Sequence, residues 1–255
     1  MKDNSGLSME KHMETKSSND VEEIALANYK QSEPWPDNDV WHHYTNDSIH
    51  KYVQNYLDKL LLTTDNILLN AGCGKTTYVT DANVIYMDII KEYIDAFENY
   101  LVASIEKIPL KENTIDCIIC VGSVINYADL QKALSEFSRI LKPNGILILE
   151  FERSNSAEFL GTKKYGQVIF KQKYHYNHQA HYLWMYNEKF VFQLANYYNF
   201  ISIKKYRFHC ISSLFFRFGL SEEKAAKYIK FDRVAQPFSY LIAHNEIIIF
   251  TKVDP

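Results

Sequence analysis

The fold of this 255-residue chain is decided by Ile67-Leu68-Leu69-Asn70-Ala71-Gly72-Cys73-Gly74, an apolar run that halts on a polar residue and turns through two glycines. A second short apolar run follows and ends at Asp88. Gly72 and Gly74 permit a sharp turn and close approach of the backbone to a ligand where a Cβ would collide. A carboxylate at the tip of the next strand can accept two ribose hydroxyls. Together these residues form the front half of a site for a nucleotide-bearing cofactor.

Outward from this turn, strand and helix patterns alternate. Strands are expected at 66–70, 84–88, 101–104, 115–121 and 145–151, an amphipathic helix at 130–141, a late helix at 188–198, and strands at 201–208 and 246–252. Such alternation predicts a parallel sheet with helices on both faces, and Pro143-Asn144-Gly145 parts the helix from its strand as a right-handed crossover requires. Between the glycine turn and the second strand lies only 75–83, too short for a full crossover helix. Upstream, Asn19-Asp20 can cap a helix over 21–31. Pro34 and Pro36, flanked by Trp35 and Trp41, then separate it from a helix over 47–62 whose Ile49, Val53, Tyr56, Leu57 and Leu60 form one stripe.

After the fifth strand comes an aromatic segment with Tyr165, Phe170, Tyr174, Tyr176, Tyr182, Trp184 and Tyr186, interleaved with His175, His178 and His181. Its alternation predicts an inserted β-hairpin turning near 177–180. Ligands of open α/β sheets sit beyond the carboxyl ends of the strands, so this insertion is placed to cover a second substrate. The expected organisation is a tail and helical cap over 1–45 and a main domain over 46–255, with the insertion over about 154–187.

Composition narrows the class. A hydrophobic content of 47% suffices for a full core. Residues 1–20 are polar, lack the apolar centre of a signal peptide and read as a disordered tail, and no apolar run is long enough to span a bilayer. A soluble, cytoplasmic protein, monomeric or homodimeric, is expected. Cys117 and Cys120 form a C-x-x-C inside an apolar strand, where residues three apart face oppositely, so burial rather than redox or metal chemistry is expected. The three histidines of the hairpin fail as a metal site on the same ground, and no metal is expected. Charge is uneven: residues 161–218 hold nine Lys or Arg against Glu188, in a chain of net charge −3. That bias suits an anionic partner or a solvated face.

The ordered motifs resemble those of class I S-adenosylmethionine (SAM) dependent methyltransferases of the type 11 kind, from Leu68 to about Arg153. The resemblance implies an α/β fold with a seven-stranded, mostly parallel Rossmann-like sheet, helices on both faces, an N-terminal helical appendage and the aromatic hairpin cap. It implies SAM as cofactor, with Asn70, Ala71, Gly72 and Gly74 in the glycine turn, Asp88 and Ile89 at the ribose, Ser104 and Ile105 at the adenine, and Gly122 and Ser123 beneath the methionine. Arg139-Ile140-Leu141-Lys142-Pro143-Asn144-Gly145 is similar to a structural signature of the family. Asn70 departs from the family's usual acid, keeping an acceptor but losing its charge, and Thr76 stands at the third glycine, a departure that speaks against NAD.

Methyl transfer from a sulfonium needs an acceptor held in line and, for a hydroxyl or amine, a way to lose a proton. His181 is the first candidate for base and Tyr127 for acceptor contact, with His175, His178, Glu150 and Glu152 as further candidate bases. Three readings stay open: methylation of oxygen or nitrogen on a small or medium-sized, possibly anionic acceptor (sugar-bearing, phosphorylated or a natural product); RNA modification, for which basic and aromatic residues interleave; and a SAM-binding partner subunit without activity.

Overall fold

The computed structural model describes residues 18–30, 39–176 and 179–254. Seven strands form the central sheet: β1 (Ile67–Ala71), β2 (Asn83–Asp88), β3 (Tyr100–Val102), β4 (Ile115–Cys120), β5 (Leu141–Glu152), β8 (Phe200–Phe208) and β9 (Asn245–Lys252). A separate hairpin pairs β6 (Ile169–Tyr176) with β7 (Gln179–Tyr186). The sheet order is β3-β2-β1-β4-β5-β9-β8, with β9 antiparallel to both of its neighbours. The α/β sheet and the inserted hairpin match the expectation from sequence.

Apolar residues on both sides of the strands need cover on both faces. One face takes α4 (Leu130–Ile140) and α5 (Glu188–Tyr197), where Leu134, Phe137 and Val191 pack with Cys120 and Leu149. The other takes α2 (Val40–Leu60), whose Ile49, Val53 and Leu57 pack against Leu68, Cys117 and Ile119. Cys117 and Cys120 thus belong to opposite faces, as strand alternation requires. The link from β1 to β2 carries no helix. The carboxamide of Gln54 on α2 holds it instead, donating to Val79 O (2.8 Å) and accepting from Val79 N–H (2.9 Å).

Several boundaries differ from the expected ones. Helix α2 begins at Val40 rather than near 47, because the Asp39 carboxylate caps it by accepting from His42 N–H at 3.1 Å. Helix α1 spans Ser18–Tyr29; the expected break at Pro34 and Pro36 lies outside the described residues. Strand β5 starts at Leu141, which pairs with Ile115 before a register shift, so Pro143-Asn144-Gly145 forms an irregularity within the strand, with Asn144 at φ 62°. Between β8 and β9 the sequence reading placed no element. The chain there forms the short helices α6 (Ile211–Arg217), α7 (Glu222–Ala226), α8 (Asp232–Ala235) and α9 (Ser239–Ile242), and a short α3 (Lys91–Ile94) follows β2.

Arg153, fully buried just beyond β5, anchors this helical segment. Its guanidinium donates to the carbonyls of Ala243 (3.1 Å) and Tyr240 (2.9 Å) and pairs with Glu188 (2.8 Å) and Glu246 (3.0 Å). Arg207 closes the network on Glu188 (2.7 Å) and Glu246 (2.9 Å). Removing one member of a buried ion network strands the other charges. Arg153→Met should therefore cost about 3 kcal/mol, lowering the thermal midpoint by roughly 6–12 °C in a protein of this size, readable by calorimetry; an unchanged midpoint would contradict the anchoring role.

Candidate active site

The carboxyl ends of the parallel strands open into a cavity of about 440 Å³, roofed by α1 and the hairpin. The glycine turn forms its floor. Gly72 and Gly74 take left-handed φ values of 67° and 52°, and the N–H groups of Gly72 and Cys73 both donate to Met87 O, at 2.7 and 3.1 Å. Asp88, at the tip of β2, accepts from Gly74 N–H (2.8 Å) with one carboxylate oxygen and from Ile90 N–H (2.9 Å) with the other. Burial pushes its carboxyl above the usual range, against the pull of these N–H groups.

The two glycines differ from what the sequence suggested. A Cβ on Gly72 would lie 2.5 Å from Val124 Cγ1, so Gly72 serves the packing of the turn against Val124 rather than ligand clearance. Around Gly122, at φ 82°, no atom lies within 4 Å of the Cβ position, and around Gly74 the nearest is a Tyr93 ring carbon at 4.0 Å. Open space therefore belongs to Gly74 and Gly122. Asn70 spends its amide donor on Thr76 O (2.9 Å), bracing the turn. Ile89, Ser104, Ile105 and Ser123 also line the cavity, whereas Ala71 is buried within β1 and does not.

Ser123 takes a left-handed φ of 57° and directs its polar groups to two carboxylates. Its N–H donates to Glu150 (2.6 Å) and its hydroxyl to Glu152 (3.0 Å). Glu150 is fully buried, and burial lifts its carboxyl to about 7 in spite of Asn245 and Ser123. Glu152 and Glu158 flank the His244 ring, each 3.3 Å from one nitrogen. Burial alone would lower the His244 imidazole, but the two carboxylates outweigh it and raise the ring to about 9. Burial likewise raises Glu152, yet His244 and Ser123 prevail and hold it below the usual range. Glu158, accepting from the Tyr174 hydroxyl at 2.9 Å, is lifted to about 7 by burial. Glu222 and His42 complete this charged wall.

Helix α1 closes the cavity over Tyr127 and His181. The Tyr29 and Tyr127 hydroxyls share a hydrogen bond of 3.1 Å, Tyr93 donates to Tyr29 O (2.6 Å), and Asn28 donates to Ala180 O (3.0 Å). His181 is 5% exposed, with its ring 5.7 Å from that of Tyr29, and burial lowers its pKa. His175 reaches the cavity from β6, while His178 lies outside the described residues. Trp184 does not join them: alternation turns it to the other side of β7, where Lys171 lies over its ring at 5.8 Å.

Sequence reasoning missed Glu158, Glu222, His42 and His244, which come from four separated segments without shared spacing. One signal was present. The polar triplet His244-Asn245-Glu246 opens an otherwise apolar strand, and because β9 is antiparallel its first residues fall at the edge where the parallel strands end.

Residues 69–149 match the family model described as "Methyltransferase domain". This part of the chain is a methyltransferase domain. The ubiquinone/menaquinone biosynthesis C-methyltransferase of Pasteurella multocida is 32% identical over 120 residues, covering 40% of this chain and 45% of that protein. The malonyl-[acyl-carrier protein] O-methyltransferase of Yersinia pestis is 30% identical over 109 residues, covering 38% and 41%. The chain spans about half or less of the length of the curated relatives it matches. Among solved structures, the Burkholderia thailandensis 1,6-didemethyltoxoflavin-N1-methyltransferase, with bound S-adenosylhomocysteine, shares the fold at a TM-score of 0.58 and 12% identity, covering 93% of this chain and 91% of that one. The methyltransferase domain thus has the Rossmann-like fold of SAM-dependent methyltransferases.

The His244 cluster makes stability depend on pH. A ring raised from its ordinary 6.5 to about 9 contributes fully below 6.5, and the contribution is lost as pH rises through 9. Glu158, raised by burial, acts in the same direction at lower pH, since its folded state prefers the neutral acid. The thermal midpoint should fall as pH rises from 6.5 to 9, and His244→Asn should flatten that fall; an equally steep profile in the variant would disprove the assignment.

Proposed function

We propose that the chain transfers a methyl group from SAM to oxygen or nitrogen of a small or medium-sized acceptor enclosed beneath α1 and the hairpin. The observation that carries this reading is the single cavity joining two chemically distinct ends. At one end lie the glycine turn, Asp88, Ser104 and Ile105; at the other, Tyr127, His181 and the Glu152–His244–Glu158 cluster.

The residues present fit the cofactor. Gly74 and Gly122 leave the space that a Cβ would fill. Each Asp88 carboxylate oxygen accepts one of the two backbone hydrogen bonds from Gly74 and Ile90 and keeps a further lone pair for a ribose hydroxyl. Ser104 and Ile105 would border the adenine, and the Gly122-Ser123 turn the methionine. When bound, SAM supplies an electrophilic methyl group. The chain itself would exclude water, align the acceptor and take its proton. His181, kept neutral by burial, can accept that proton; Tyr127, fixed by Tyr29, can orient the acceptor; and Glu158, titrating near neutrality, is a second base within the same wall.

The charged wall also narrows the acceptor. Three carboxylates, Glu152, Glu158 and Glu222, line this end against the two imidazoles of His42 and His244. A neutral or cationic acceptor suits such a wall better than the anionic one considered from sequence. RNA loses support as well, because Lys205 and Arg207 of the basic stretch are paired internally with Glu188.

Titration calorimetry tests this reading. The chain should bind SAM, and Asp88→Ala should weaken binding by about 1.5–3 kcal/mol, roughly tenfold or more. Gly122→Val should remove binding while leaving a folded protein, since the side chain would both strain a left-handed residue and fill open space. Unchanged affinity in Asp88→Ala would remove the ribose assignment, and failure of the parent protein to bind SAM would sink the proposal.

A further inference from the structure

The segment before β9 turns its apolar side outward. From Ile229 to Ile242 the chain winds almost continuously, in 3₁₀ turns over Ile229–Phe231 and Gln236–Phe238 that alternate with α8 and α9. In such a winding, positions three and four apart share a face. Asp232, Ala235 and Ser239 are buried, and Asp232 is fixed by accepting from the N–H groups of Cys210 and Ile211. The intervening positions Phe231, Val234, Phe238 and Leu241 are exposed by 45%, 76%, 62% and 41%. This reverses the usual polarity of a surface helix, whose apolar stripe faces the core.

Positive charge borders the stripe. Lys227, Lys230 and Arg233 are exposed at a spacing of three, and Arg217 and Lys224 are exposed nearby; Glu223 is the exposed acid of 217–241. Lys230 lies over the Phe231 ring at 5.3 Å. Arg217 donates to Leu160 O (2.8 Å) and Tyr165 donates to Leu241 O (2.8 Å), which brings the loop bearing Lys163 and Lys164 alongside. Part of the basic bias noticed in the sequence is therefore gathered here, apart from the internally paired Lys205 and Arg207.

We propose that this face docks on the surface of an anionic lipid bilayer, with Phe231, Val234, Phe238 and Leu241 seated at the headgroup boundary. An apolar stripe edged by cations and by an exposed Tyr240 matches an interface that is anionic above and apolar below. Among the described residues no helix is long and apolar enough to cross a membrane, so the contact is peripheral. A second copy laid two-fold on this face would oppose like charges, which disfavours self-association there. The inference is independent of the reaction and of the acceptor.

The test is co-sedimentation of the full chain with vesicles of phosphatidylcholine alone and of phosphatidylcholine mixed with phosphatidylglycerol. The protein should pellet with the mixed vesicles and stay in solution with the neutral ones. Phe231→Ser/Val234→Ser/Phe238→Ser, which replaces exposed side chains and should leave the circular dichroism spectrum unchanged, should lower partitioning by roughly tenfold or more, and Lys227→Glu/Lys230→Glu/Arg233→Glu should do the same. Absence of binding by the parent protein, or undiminished binding by either variant, would overturn the proposal. So would a parent protein that dimerises in sedimentation velocity through these residues in place of binding vesicles.

Discussion

The Asp88 carboxylate is the constraint on which the cofactor end depends. It ties the turn after β1 to the end of β2 by accepting from Gly74 N–H at 2.8 Å and Ile90 N–H at 2.9 Å, while Met87 O holds Gly72 and Cys73 from the same strand end. A missing crossover helix would ordinarily leave this turn loosely supported. Here Gln54 of α2 grips the link at Val79, and Val124 fills the space beside Gly72. The turn is held on three sides by parts of the chain distant in sequence, which leaves Gly74 and Gly122 free to face the cavity.

The far end of the cavity follows a different physical logic. Four carboxylates, Glu150 and Glu152 at the end of β5, Glu158 after it and Glu246 on β9, lie in or near the interior, a costly arrangement unless each finds a partner. His244 serves two of them, Arg153 and Arg207 serve Glu246, and Asn245 with the Ser123 N–H serves Glu150. His244 and Asn245, where the chain enters β9, thus partner Glu152, Glu158 and Glu150, while Arg153 after β5 and Arg207 on β8 partner Glu246. Packing and charge balance are thereby concentrated on the same few residues.

Much of the fold was legible in the sequence because parallel strands buried on both faces read as apolar runs, and the glycine turn with its following acid has few other uses. The cofactor-side residues were legible for the same reason: they are local to strand ends. Tyr127 and His181, read from the strand-end motif and from the hairpin, also line the cavity. Glu158, Glu222 and His244 were not legible, since their meeting depends on how the insertion and the helices after β8 fold back over β5. Trp184, an odd number of residues from His181 on the same strand, falls on the opposite face and outside the cavity. The segment 211–242 was not legible because its helices are too short to show a period and, over 229–242, its apolar side faces outward.

A crystal structure with S-adenosylhomocysteine bound tests the central claim most directly. The ribose hydroxyls should lie on Asp88, the adenine beside Ser104 and Ile105, and the sulfur should face the end of the cavity that holds Tyr127, His181 and Glu152. A nucleoside bound elsewhere, or seated with its ribose away from Asp88, would contradict the account.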